Sequence, residues 1–180
     1  MELAGLGRCL LQGGDEGLFD WFAAVLTGLG SKASNVILYH IPQVTSVGLS
    51  MALVDRLKKA FPKQVAGVKD SSGDWDNAQA LLKHHGELHI LIGDERLLAK
   101  AMNLGASGAI TGLANIAPDL MKPLIDGIEE PRVNAMVEAV LPFAVTAAVK
   151  ALVGHRLVIT VAEESAGGVQ RIAQWVRFAR

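Results

Sequence analysis

One lysine stands out by its position. Val65-Ala66-Gly67-Val68-Lys69-Asp70 is an apolar, β-type run ending near Lys69, and Ser71-Ser72-Gly73-Asp74 turns the chain at once. Burial penalises a charged amine, which suits a lysine that must attack a carbonyl carbon in its neutral form to make a Schiff base. The same residue also reads as a strand-end lysine whose alkyl stem lies on apolar surface while its head reaches water. Other constellations offer less chemistry. His84, His85 and His89 cluster, but Gly86 and a change from helix to strand separate them, so surface positions are expected rather than a metal-ligand face. Gly13-Gly14-Asp15 fits a turn and helix cap better than a phosphate cradle. Arg171, Arg177 and Arg180 beside Trp175 and Phe178 suit a loosely packed amphipathic helix over Gln170–Arg180.

The elements that must position Lys69 alternate in type. Asp15 can cap a helix from Glu16 to about Leu29, whose apolar residues recur at helical spacing, and Gly30 supplies the stop. Asn35 to Ile41 predicts a strand closed by Pro42. Ser50 caps a helix to about Ala60, ended by Pro62. The Val65–Lys69 strand and a Trp75–His84 helix follow. Leu88 to Ile92 is a third strand with a helix from Glu95 to Leu104 behind it, and Ser107 to Ile110 is a short fourth strand flanked by glycines. Pro118 starts another helix. Arg132 to Val153 reads as a long apolar one that Pro142 kinks or splits.

At 180 residues the chain suits one domain. Hydrophobic residues at 51% and charged ones at 19% fit an α/β domain with strands buried on both faces. A net charge of −1 gives no footprint for nucleic acid or an anionic membrane. The single cysteine, Cys9, excludes an intrachain disulfide and suits a reducing compartment. No apolar run reaches the ~18 residues of a membrane helix. Met1 to Leu11 lacks the basic start and small-residue cleavage site of a signal peptide, so a cytoplasmic location is expected.

Mostly continuous apolar strands alternating with helices predict parallel pairing with right-handed crossovers. An open doubly wound sheet or part of a barrel would both satisfy that. Tyr39, Lys69, Gly93-Asp94-Glu95 and Ile110-Thr111 all fall at or just past the C-terminal ends of successive strands, where a (β/α) barrel opens its active-site mouth. A nucleotide-binding doubly wound sheet would want a Gly-rich turn after its first strand, and neither G-x-G-x-x-G nor a Walker A sequence is present. Four strands are half of an eight-stranded barrel of ~250 residues. Such a half leaves parallel edges and apolar surface to be covered, so a homo-oligomer, a paired chain or a fragment of a larger barrel is expected.

Tyr39-His40-Ile41-Pro42 with Thr45, Gly67-Val68-Lys69-Asp70-Ser71-Ser72-Gly73-Asp74, Ile92-Gly93-Asp94-Glu95 and Gly105 to Asn115 occur in one order and spacing. In these residues the chain resembles the dihydrodipicolinate synthase / N-acetylneuraminate lyase family, class I pyruvate-type aldolases on a (β/α)8 TIM barrel. The resemblance runs from about Gly13 to His155. It implies an α/β fold, a partial barrel holding about the last four strands with C-terminal helices. It further implies a carbon–carbon lyase that condenses the Lys69 amine with the keto group of pyruvate or another 2-oxo acid. Tyr39, the only tyrosine in the chain, would relay protons as general acid and base; without Lys69 it would read as a half-buried strand tyrosine with a satisfied hydroxyl. Gly93 and the backbone near Ile110 would line the substrate pocket. Asp94 and Glu95 would reach a hydroxylated substrate tail or serve as helix N-terminal charges. No metal or organic cofactor is implied.

The chain also departs from the family. Its first four strands, the loop that binds the pyruvate carboxylate, and the tyrosine reaching in from a neighbouring subunit have no counterpart. His40 stands where asparagine is common, and Ser46 where glycine often follows the threonine. Residues 1–12 and 156–180 are not family-like, as expected of a truncated or frame-shifted reading of a longer gene. Weak imine formation and very low turnover are expected of the chain by itself. A non-catalytic barrel fragment or interaction scaffold is the alternative reading.

Overall fold

The computed structural model describes residues 14–30, 33–115, 117–138, 157–165 and 168–176. The chain divides into two units, residues 1–90 and 91–180.

The first unit runs α1 (Gly14–Leu29), β1 (Val36–His40), α2 (Pro42–Thr45), α3 (Met51–Ala60), β2 (Val65–Asp70) and α4 (Trp75–His84). Gly30 ends α1 in the left-handed region that glycine adopts without strain (φ +56°). The Gln64 side chain then donates to the carbonyls of Leu26 and Gly30, both at 3.0 Å, satisfying acceptors that the helix end leaves open. Ser50 caps α3 by accepting the Leu53 N–H at 3.0 Å, and Asp74 caps α4 by accepting from Asp76 and Asn77. Leu38 and Val68 of the strands, Leu53, Val54 and Leu57 of α3, and Ala78 and Leu81 of α4 are buried as the core of this unit. Each large side chain among them contributes ~1.5–3 kcal/mol on leaving water. Arg56 of α3 pairs with Glu16 of α1 at 2.6 Å and lies over the Phe19 ring at 3.8 Å, tying the two helices.

The boundary between units falls inside β3 (His89–Ile92). The second unit continues with α5 (Glu95–Asn103), β4 (Gly108–Ala109), two 3-10 turns at Leu113–Asn115 and Pro118–Leu120, and α6 (Met121–Ile125). Residues 131–138 are helical. Two nine-residue strands, β5 (Leu157–Ser165) and β6 (Gly168–Val176), pair antiparallel and close on Ser165↔Gly168. Strands β1 to β4 form one sheet in the order of the sequence, and the β1–β2 and β3–β4 pairs are parallel. Continuous apolar strands linked by helices lead to that arrangement, because each crossover must return to the same end of the sheet.

Several expectations are corrected. Helix α1 begins at Gly14, one residue before Asp15, and the Asp15 carboxylate takes the Ser50 hydroxyl instead of capping its own helix. Pro42–Thr45 is a helical turn where only a strand-closing proline was expected; proline at its start needs no N–H there. Pro118 opens a 3-10 turn before the helix proper. His85 is buried, with its Nε2 3.3 Å from the Met51 carbonyl, while His84 and His89 lie at the surface as expected. Most of the expected Arg132–Val153 helix, Pro142 included, lies outside the described residues. Gly168–Val176 is a strand, not the amphipathic helix read over Gln170–Arg180. The β-branched Val158, Ile159, Thr160 and Val161 of β5 and Val169, Ile172 and Val176 of β6 favour extended backbone, and two residues between the paired ends suit a hairpin.

Candidate active site

The first unit brings two candidate residues side by side. In the parallel β1–β2 ladder Leu38 faces Val68, Tyr39 faces Lys69 and His40 faces Asp70. Side chains alternate along a strand, so Leu38, His40, Val68 and Asp70 are buried on one face while Tyr39 and Lys69 share the other. Lys69 is half-buried, and Tyr39 is 47% exposed. The Lys69 Nζ stands 4.2 Å from the centroid of the Tyr39 ring. An ammonium over a ring face at an exposed site is stabilised by about 0.5–1 kcal/mol. The pair thus occupies the C-terminal ends of its two strands, on the face away from the helix-packed core.

The alternation that reaches this register includes an irregularity. Val36 pairs with Val65 and Ile37 with Gly67, so β2 carries one extra residue, Ala66, between the first two pairs. Gly67 lies against β3: a Cβ on it would collide with the His89 carbonyl oxygen and stand 2.9 Å from both the His89 Cβ and the Ile37 Cδ1. Only glycine admits that approach.

The neighbours of the pair hold the strand ends. The Asp70 carboxylate accepts from the Ser72 N–H and the Asn77 Nδ2, both at 2.9 Å, so it shapes the turn after Lys69 and ties it to α4. The Ser71 N–H donates to the His40 carbonyl at 2.8 Å, and the Gln43 side chain donates to the Ser71 carbonyl at 2.6 Å. The Thr45 hydroxyl bonds the carbonyls of Ile41 and Val47. Ser46 adopts the left-handed conformation (φ +58°) that ends α2, where glycine would be unstrained. Tyr39, Ile41, Thr45, Val47 and Leu49 line an apolar cleft of about 600 Å³ whose other wall is Leu18, Trp21 and Phe22 of α1.

In the second unit Gly93 and Ile110 are half-buried, and the Ile110 N–H donates to the Ile92 carbonyl at 3.1 Å. Asp94 caps α5, accepting the Arg96 N–H at 3.0 Å, and grips the Arg96 guanidinium through both oxygens at 2.9 and 2.5 Å. Partial burial works against its charged form, yet these bonds outweigh that and hold the carboxyl below the usual aspartate value. Glu95 is 7% exposed, and its Oε1 accepts the Leu113 N–H at 2.8 Å. Both carboxylates are engaged by the protein itself, as helix N-terminal residues. Residues that the sequence named without giving them a role, His40 and Asp70, emerge as the anchors of the strand ends. For Asp70 the signal was present: an aspartate two residues before a serine is an Asx-turn pattern.

The model of the Dihydrodipicolinate synthetase family matches residues 10–165. The chain belongs to that family. An uncharacterized DapA-like lyase of Chloroflexus aurantiacus is 35% identical over 148 residues, which are 78% of this chain and 49% of the relative. The crystal structure of dihydrodipicolinate synthase from Agrobacterium tumefaciens is 51% identical, with a TM-score of 0.70 over 78% of this chain and 50% of that one. The Acinetobacter baumannii dihydrodipicolinate synthase, solved with pyruvate, is 28% identical with a TM-score of 0.55 over 72% of this chain and 44% of that one. The chain therefore spans about half the length of these family members. Its parallel sheet and helices are part of the family's (β/α)8 barrel. No helix among the described residues is long and apolar enough to cross a membrane.

Proposed function

We propose that this chain carries the Schiff-base half of a dihydrodipicolinate synthetase-family lyase acting on pyruvate or another 2-oxo acid. Residues 13–155 form its barrel portion. The Lys69 amine adds to the C2 keto carbon, a carbinolamine forms, and loss of water as the C–O bond breaks leaves the imine. Tyr39 gives and takes the protons that these steps require. The observation that carries the reading is the register Tyr39↔Lys69, which places the sole tyrosine beside the strand-end lysine, its ring 4.2 Å from the amine. Family membership and the pyruvate bound in the Acinetobacter relative support the substrate class. Gly93 and the backbone at Ile110 are the proposed pocket lining; Asp94 and Glu95 act there through the backbone they hold.

A cytoplasmic homo-oligomer is the proposed working form. Among the described residues β1 is an outer strand of the sheet, the apolar cleft runs beside it, and an outer parallel edge favours association. The same surface favours the second reading, a non-catalytic scaffold that retains the lysine. Intact-mass measurement after pyruvate and borohydride tests the choice, comparing the parent chain with Lys69→Ala and Tyr39→Phe. The lyase reading requires a reduced adduct on the parent, none on Lys69→Ala, and formation slowed by about 100-fold or more in Tyr39→Phe. Folded parent protein without adduct overturns it in favour of the scaffold.

A further inference from the structure

We infer that His40 is a positioning residue, fastening through its Nδ1 the loop that walls the cleft beside Tyr39. The inference rests on the lyase reading of Tyr39 and Lys69. His40 follows Tyr39 in β1 and is 8% exposed on the opposite face, so its ring cannot reach what Tyr39 reaches. Its Nδ1 instead accepts the N–H of Leu49, nine residues on, at 2.9 Å in a buried setting. That bond closes the 41–49 loop, and Thr45 braces the interior of the loop through the carbonyls of Ile41 and Val47.

The loop has two consequences for the pair. Ile41, Thr45, Val47 and Leu49 are cleft wall next to Tyr39, so their placement sets the space in front of the tyrosine. From the same loop Gln43 holds the Ser71 carbonyl, while the His40 carbonyl takes the Ser71 N–H. Residue 40 is thus the knot between the end of the tyrosine strand and the turn that follows the lysine. The ring also has a shaped seat. A Cβ on Gly48 would lie 3.1 Å from the His40 Cε1.

The chemistry required at residue 40 is an acceptor at the δ position. The neutral imidazole that accepts at Nδ1 carries its proton on Nε2. Asparagine offers Oδ1 at nearly the place of Nδ1. Glutamine offers Oε1 one bond further out, and phenylalanine keeps the ring shape with no acceptor. The last two leave the buried Leu49 N–H without its partner, which native structures rarely tolerate.

The experiment compares the parent chain with His40→Asn, His40→Gln and His40→Phe, two losses of the acceptor guarding against one that fails to fold. Hydrogen exchange at Leu49 reads the bond directly, and the rate and pyruvate dependence of borohydride-trapped adduct on Lys69 read its consequence. The expected result is Leu49 exchange faster by about tenfold in the Gln and Phe variants. Their adduct formation slows by roughly tenfold to a hundredfold at saturating pyruvate, as misplacement of a reacting group would produce. His40→Asn keeps both near the parent values. Adduct formation at the parent rate in a variant whose Leu49 exchange has risen overturns the positioning role. His40→Asn behaving like His40→Phe overturns the δ-acceptor argument. A parent that forms no adduct overturns the lyase reading, and the positioning role falls with it.

Discussion

Glu95 separates a structural carboxylate from a substrate-binding one. It occupies the first residue of α5 and is 7% exposed, with Oε1 2.8 Å from the N–H of Leu113, itself buried. Replacing it with alanine leaves a buried backbone donor unpaired, at ~1–3 kcal/mol. It also removes a negative charge from a helix N-terminus, a further ~0.3–1 kcal/mol. Together the loss is ~1.3–4 kcal/mol, and at ~2–4 °C per kcal/mol for a chain of this size the melting midpoint should fall by ~3–16 °C. Glu95→Gln keeps an oxygen where Oε1 sits and should cost less than ~1 kcal/mol. Urea unfolding of the three proteins, with hydrogen exchange at Leu113, measures both effects. Two results would refute the reasoning: Glu95→Ala as stable as the parent, or Glu95→Gln as damaging as Glu95→Ala. The first would free the carboxylate for a ligand; the second would mean that its charge, rather than its acceptor, is what matters.

Gly67→Ala should lower stability by ~1–3 kcal/mol, read as a lower urea midpoint, because the added methyl meets backbone of β3 that no rotamer change can move. An unchanged midpoint would mean that β2 and β3 do not approach so closely. Acid should destabilise the chain through its arginine-paired carboxylates. The Arg132 side chain holds Glu130 down from the ordinary 4.5 to about 2, and Asp94 is held low beside Arg96. A carboxylate depressed in the folded state contributes its full stability above the unfolded value and loses it as pH falls through the folded one. The urea midpoint should therefore be flat above 4.5 and decline toward 2, with a smaller decline in Glu130→Gln. A midpoint that rises on acidification across this range would contradict the assignment.

Local signals announced most of the elements. Asp74 and the apolar spacing behind it fix α4 at Trp75–His84 as read, and Ser50 fixes the start of α3. Caps and periodicity are written in adjacent residues, so they survive without tertiary information. The C-terminal strands were missed because arginines beside aromatics resemble an amphipathic helix, while the pairing that decides for strand comes from the other arm of the hairpin. At the site, strand-end positions marked Tyr39 and Lys69, but that they stand opposite one another is a property of register, which sequence order does not state. Asp94 and Glu95 were ambiguous for a related reason. A carboxylate that opens a helix and one that waits for a ligand look alike until the partner N–H groups, of Arg96 and of Leu113, are located. His40 was legible only as an unusual residue; its bond closes over nine residues through a loop whose path no local pattern dictates.

The extra residue in β2 makes this strand unevenly tolerant of changes in length. Upstream of it Val65 keeps step with Val36, and downstream Gly67 keeps step with Ile37, so the two ends of the strand are counted separately. A residue lost at Ala66 would iron out the irregularity and still leave Lys69 opposite Tyr39. A residue gained or lost between Gly67 and Lys69 has no such slack, and because side chains alternate with period two it would turn the lysine toward the helices. Among relatives of this chain, insertions and deletions should therefore gather before Gly67 and be absent from the two steps that follow it.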